Sequence, residues 1–161
     1  MIGLRRFAIS VAALFVLSTF AVAQQKGVID EFIVQDAAAF ETYLQSSWST
    51  SGKDAKGWRA EGAKAIKADD PRSAARYFAS SVALEKNNAD TWLLLGQAYL
   101  AIETEKYSDK IAFAKNASSA GYISFQRSKS PEIKAKALAL IAQSLVAREN
   151  WRPALRVYKA S

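Results

Sequence analysis

The sequence predicts an all-α fold, a stack of antiparallel helix pairs, on three observations. Gly and Pro number only 7 and 3 in 161 residues, too few for the turns of a β-sandwich or barrel. Apolar residues recur at helical spacing, as in Leu94, Leu95, Ala98 and Tyr99. A Trp and a Gly four residues apart return after 34 residues: Trp58 with Gly62, then Trp92 with Gly96. Half of the residues are apolar and 23% are charged, a balance that suits one folded domain.

The N-terminus reads differently from the rest. Arg5 and Arg6 precede an apolar run over residues 7–20 that ends in Ala21-Val22-Ala23, followed by the polar Gln24-Gln25-Lys26. A positive start, a short apolar run and a small-x-small ending are the layout of a secretory signal peptide over residues 1–23. An uncleaved anchor helix is the alternative. Removing Arg5 and Arg6 from the 22 basic residues leaves 20 against 15 acidic ones, so the net charge falls from +7 to +5. No block of five or more Lys/Arg remains, which argues against a nucleic-acid partner. The absence of Cys fits an oxidising compartment, and the periplasm is expected, with full secretion left open. After cleavage no stable membrane anchor is expected.

Residues 24–56 form a helical extension and linker. A helix is expected over 36–48, with Phe40, Tyr43, Leu44 and Trp48 on one face, before the linker Ser49-Thr50-Ser51-Gly52-Lys53. The repeats occupy 57–161. In the first pair Trp58 and Gly62 are followed by Ala74, Tyr77 and Phe78. The second pair opens with a helix over 90–102. Ala120 follows Ala74 by 46 residues, so twelve extra residues go into a loop over 103–108 and a long helix over 109–128. The third pair returns to form: Leu138, Ile141, Ala142 and Leu145 mark its first helix, and Ala154 follows Ala120 by 34. Asp70-Pro71 and Ser130-Pro131 each place a capping side chain before a Pro at the first helical position. Asn150 is the expected cap of the last helix, with Pro153 in its tolerant first turn. About seven helices and no sheet follow for residues 24–161. Trp58, Trp92 and Trp151 are expected in the core; Trp48 stays open.

These positions resemble the tetratricopeptide repeat, a two-helix unit of 34 residues with Trp, Gly, Ala and an aromatic at set places. Lys86 stands where that motif usually has Pro, and Ser81 where it usually has Ala. Three repeats result, the last incomplete, since Ser161 corresponds to position 27 of 34. That implies either a fragment or a partner covering Leu155 and Tyr158. Further stretches narrow the likeness: Asn88-Ala89-Asp90-Thr91-Trp92-Leu93, Ala120-Gly121-Tyr122-Ile123-Ser124-Phe125-Gln126-Arg127-Ser128, and Trp151-Arg152-Pro153-Ala154-Leu155-Arg156-Val157-Tyr158-Lys159-Ala160-Ser161. Over 57–161 the chain resembles the N-terminal helical-repeat region of bacterial alpha-2-macroglobulin-like proteins. The resemblance implies a periplasmic protease trap, in which a cut bait region leads to enclosure of the protease. A reactive thioester needs a Cys, which this chain lacks. The likeness therefore implies where such a segment belongs, not that these residues inhibit a protease.

Chemistry-bearing patterns are few. Without His or Cys there is no Ser-His-Asp triad, thiol nucleophile, or thiolate or imidazole zinc site. No Gly-rich phosphate loop is present. Asp69-Asp70 precedes Pro71 and reads as a cap rather than an acid–base pair. Glu103, Glu105 and Asp109, interleaved with Lys106 and Lys110, read as a solvated loop rather than a cation site. No cofactor, metal or catalytic activity is expected.

In the resembled fold, the first helices line a concave face. Here that face takes Arg59, Ala63, Ile66 and Lys67, then Leu93, Gln97 and Leu100, then Gln143 and Val146. Apolar side chains mixed with Gln and two cations suit a peptide or a helix. Arg59 occupies one place of that fold's carboxylate clamp, but Ala63 stands where Asn is needed, so capture of a C-terminal carboxylate is not expected. The groove is either open or filled by a neighbouring segment of the same chain. Two functions follow: the repeat segment of a trap, packing on a partner or its own C-terminal continuation, and a free-standing periplasmic adaptor that binds a peptide or protein.

Overall fold

The computed structural model describes residues 27–48 and 50–161; the signal-peptide reading of 1–23 and linker residue Ser49 fall outside them. Among the described residues the chain is all-helical, with seven helices and no strand. They are α1 (Glu31–Ser47), α2 (Ala55–Lys67), α3 (Pro71–Leu84), α4 (Ala89–Leu100), α5 (Tyr107–Arg127), α6 (Pro131–Ala147) and α7 (Trp151–Tyr158). From α2 onward each helix packs on the next, and α4 also touches α6.

The helix starts follow from their caps. Asp54, Asp70, Asn88 and Ser130 each accept a hydrogen bond from the backbone N–H three residues on, at Gly57, Ser73, Thr91 and Ile133. Asn150 departs from this pattern: it stands at the N-cap of α7, but its side chain makes no capping bond. The cause is local. The third helical residue of α7 is Pro153, which has no N–H to donate. Helix α1 starts at Glu31, five residues before the expected start at Asp36.

Two turns share one geometry. Asp69 and Glu149 adopt left-handed φ values of 56° and 60°. The next N–H in each turn, Asp70 or Asn150, reaches back to the carbonyl of Ala65 or Leu145, each at 2.9 Å. This is a Schellman-type ending, and it turns α2 into α3 and α6 into α7 alike.

Close approach depends on glycine. A Cβ on Gly62 would lie 2.5 Å from the Phe78 ring, so α2 sits directly against α3. A Cβ on Gly96 would lie 2.6 Å from Leu140 Cδ2 and 3.0 Å from the Ala117 carbonyl, which places α4 between α5 and α6. Trp92 is 1% exposed, and its indole N–H donates to the Lys86 carbonyl at 2.7 Å. Trp58 is only half-buried, stacked on Tyr77 with centroids 5.7 Å apart. Trp151, expected in the core, is 63% exposed: only the Ala154 and Val157 side of outermost α7 is buried. Trp48 is part-buried and donates from its indole to Ser80 Oγ at 3.0 Å.

Buried hydroxyls stitch the helices. Ser81 Oγ donates to the Ala55 carbonyl and Ser124 Oγ to the Ala89 carbonyl, each at 2.8 Å. The second-helix residue thus holds the first residue of the preceding helix in both pairs.

Candidate functional site

The first helices α2, α4 and α6 carry the expected interaction face, and its residues meet different fates. Ala63, Ile66, Lys67, Gln97, Gln143 and Val146 are exposed. Leu93 is only 6% exposed and belongs to the core with Leu138, Ile141 and Leu145, so its side chain is not available to a partner. The reason is that α4 packs on α3, α5 and α6, which leaves little of its circumference to solvent. Leu100 is half-buried and packs against both core clusters.

Arg59 is an internal strut. Its guanidinium donates to Thr91 Oγ1 at 3.2 Å and pairs with Glu85 at 3.3 Å. It therefore fastens α2 to the start of α4, where Asn88 also accepts from the Thr91 hydroxyl at 3.0 Å.

The N-terminal helix rests elsewhere. α1 packs on α5 and α3, the second helices of their pairs, with Ile33, Ala37, Phe40 and Leu44 buried. Phe40 reaches down to the α4 rings, edge-on to Trp92 at 6.3 Å and to Tyr99 at 5.8 Å. Three acids on or just before α1 meet cations of the stack. Asp30 pairs with Arg156 at 2.8 Å, Asp36 with Lys115 at 2.9 Å and Arg148 at 3.4 Å, and Glu41 with Arg127. Arg127 also lies over the Trp92 ring at 5.3 Å and donates to the Lys86 carbonyl, while Arg148 lies over Phe32 at 5.2 Å. Sequence reading placed a helix here but had no signal for its seat; the spaced acids Asp30, Asp36 and Glu41 were the available clue.

The other sequence candidates settle as local structure. Asp70 caps α3 and its carboxyl is held below the usual range by hydrogen bonds from the Ser73 side chain and N–H. Asp69 occupies the left-handed turn position. In the 103–110 segment Lys106 pairs with Asp109 at 3.7 Å. Among the described residues no group of three or more His, Cys, Asp or Glu converges as for a metal. Tyr99 is the strongly perturbed group: burial first, then the neighbouring Tyr43, pushes its phenol up to about 12, against a lowering hydrogen bond from Asn116. No described helix is long and apolar enough to cross a membrane. Comparison of the chain with protein-family models, curated proteins and solved structures finds no match.

Proposed function

We propose that the chain is an exported, non-catalytic helical-repeat scaffold that binds protein, built from tetratricopeptide-like pairs. It would serve as the N-terminal repeat segment of an alpha-2-macroglobulin-like periplasmic protease trap. The repeat reading draws support from Gly62 and Gly96, 34 residues apart, each at a close helix approach, and from the matching turns at Asp69 and Glu149. The observation that carries the binding reading is the seat of α1 on α5 and α3, with Ile66, Lys67, Gln97, Gln143 and Val146 left exposed on the first helices.

Placement within a larger trap is favoured by α7. Trp151, Leu155 and Tyr158 form an exposed apolar stripe at helical spacing, a face suited to a further layer of protein. A free-standing adaptor is the second reading, favoured by the exposed apolar Ile66 and Val146 on the first helices.

One experiment separates the two. An antibody against residues 57–130 sizes the native product in a periplasmic fraction. A band several-fold larger than residues 24–161 supports the trap segment, whereas a band of that size supports the adaptor. No band in that fraction overturns export. For the adaptor, joint substitution of Lys67, Gln97 and Gln143 by Ala abolishes partner capture without weakening the fold, because all three are exposed.

A further inference from the structure

A cavity of about 320 Å³ opens between the first turns of α3 and the end of α4, lined by Arg72, Ser73, Arg76, Tyr99, Ile102 and Phe113. It adjoins a second cavity of about 280 Å³ with which it shares Tyr99, Ile102 and Phe113. None of the residues lining the first cavity belongs to the α2, α4 and α6 interaction face, so the site stands apart from the scaffold reading.

Among the described arginines, Arg72, Arg76 and Arg152 have no carboxylate partner. Arg59, Arg127, Arg148 and Arg156 are each committed to a carboxylate: Glu85, Glu41, Asp36 and Asp30. Arg72 and Arg76 lie one turn apart on α3, line the same cavity, and have no acidic partner among the described residues. Arg72 is oriented without being neutralised. Its guanidinium lies over the Phe113 ring at 5.4 Å and donates to the Glu103 carbonyl at 3.4 Å. Asp70, just before α3, is turned to its own helix through Ser73. Glu103 and Lys110, on the adjoining cavity, contribute one charge of each sign.

The remaining wall is apolar. Phe113 stacks on Tyr99 with centroids 6.3 Å apart and planes 24° from parallel, and Ile102 lies beside them. Two guanidiniums recognise an oxyanion, and the partly buried Phe113 and Ile102 beside them offer an apolar contact, Tyr99 being buried behind them and Arg72 lying over the Phe113 ring. A volume of this size lies in the range of small-molecule sites. We propose that this cleft binds a small organic anion, a carboxylate or phosphomonoester carried on an apolar body.

The test titrates the purified protein with phenyl phosphate and, separately, with benzoate, following backbone amide shifts. Inorganic phosphate and benzyl alcohol supply the head group and the body alone. Saturable binding of at least one of the two anions is expected, with shifts centred on Arg72, Arg76 and Phe113. Each half-probe should bind about tenfold more weakly or worse. The preferred anion identifies the head group. Arg76 is exposed, so Arg76→Gln should leave the melting temperature unchanged while weakening binding by about tenfold. No saturable shift with either anion, or equal affinity in Arg76→Gln, overturns the proposal. Inorganic phosphate binding as tightly as phenyl phosphate removes the apolar wall from it and overturns the stated ligand class.

Discussion

Phe40 stands edge-on to Tyr99, ring centroids 5.8 Å apart and planes at 70°, and so joins the N-terminal helix to the middle of the stack. The same packing removes the Tyr99 phenol from water, and its pKa rises from 10.0 to about 12 chiefly for that reason. The folded state therefore keeps a proton that the unfolded chain gives up first. The stabilisation is complete below pH 10 and is lost as pH rises from 10 through 12, a loss of about 2 to 3 kcal/mol. Urea midpoints across that window should fall in the parent and fall much less in Tyr99→Phe. Parallel slopes would count against a buried phenol.

The glycines offer a graded test of packing. Gly62→Ala drives a Cβ to within 2.5 Å of Phe78, which is fully buried. Gly96→Ala meets both Leu140 and the Ala117 carbonyl, the latter at 3.0 Å. Each should cost about 1 to 3 kcal/mol of unfolding free energy. Gly121→Ala meets Ile141 at 3.1 Å and nothing closer, and it gains helix propensity. Its change should stay within about 1 kcal/mol. Denaturant melts that rank Gly121→Ala as the worst of the three would contradict the helix spacing described above.

Two serines on α5 should respond oppositely to the same change. Ser124 is buried and donates to the Ala89 carbonyl at 2.8 Å; Ser119 is buried with no hydrogen-bond partner for its hydroxyl among the described residues. Ser124→Ala should destabilise by about 1 kcal/mol, and Ser119→Ala should be neutral or stabilise by up to about 1 kcal/mol. Calorimetric melts of the two variants decide it, and a matching loss in both would mean that Ser119 has a partner.

Electrostatic clamping of α1 is testable through Glu41. Arg127 and Glu41 are each about a quarter exposed or less, so their pairing is incompletely screened. Glu41→Gln should cost about 1 kcal/mol at low salt, and the difference from the parent should shrink at high salt. Limited proteolysis should cut the variant first near α1. Cutting that begins in α7 instead would show that the pair does not hold α1 in place.

Much of the helical architecture was legible because its signals are local. Asp70-Pro71 and Ser130-Pro131 announce helix starts by themselves, and the structure has caps at both; Gly62 and Gly96, singled out by their spacing, stand at close helix approaches. What escaped was set by neighbours. Leu93 reads as part of the exposed concave face and Trp151 as a core position, yet Leu93 is buried because α4 has a helix on three sides, and Trp151 is exposed because α7 buries only one. Asn150 failed as a cap because of Pro153, a conflict visible in the sequence once the third helical position is counted. The Arg72–Arg76 cleft was illegible: it needs Phe113 and Tyr99, brought in from two other helices.

A stack of helix pairs ordinarily behaves as a chain of neighbours, each unit frayed or folded according to the one beside it. Helix α1 breaks that arrangement. It packs on α5 and α3, and through Asp30, Asp36 and Glu41 it also grips Arg156 on α7, Arg148 after α6, and Arg127 on α5. Loosening either end of the array therefore disturbs a strut shared with the other. Melting from α7 inward costs contacts that also secure α3, and the ends lose their independence. Such a body opens as one cooperative unit rather than helix by helix, and its surface is stiff.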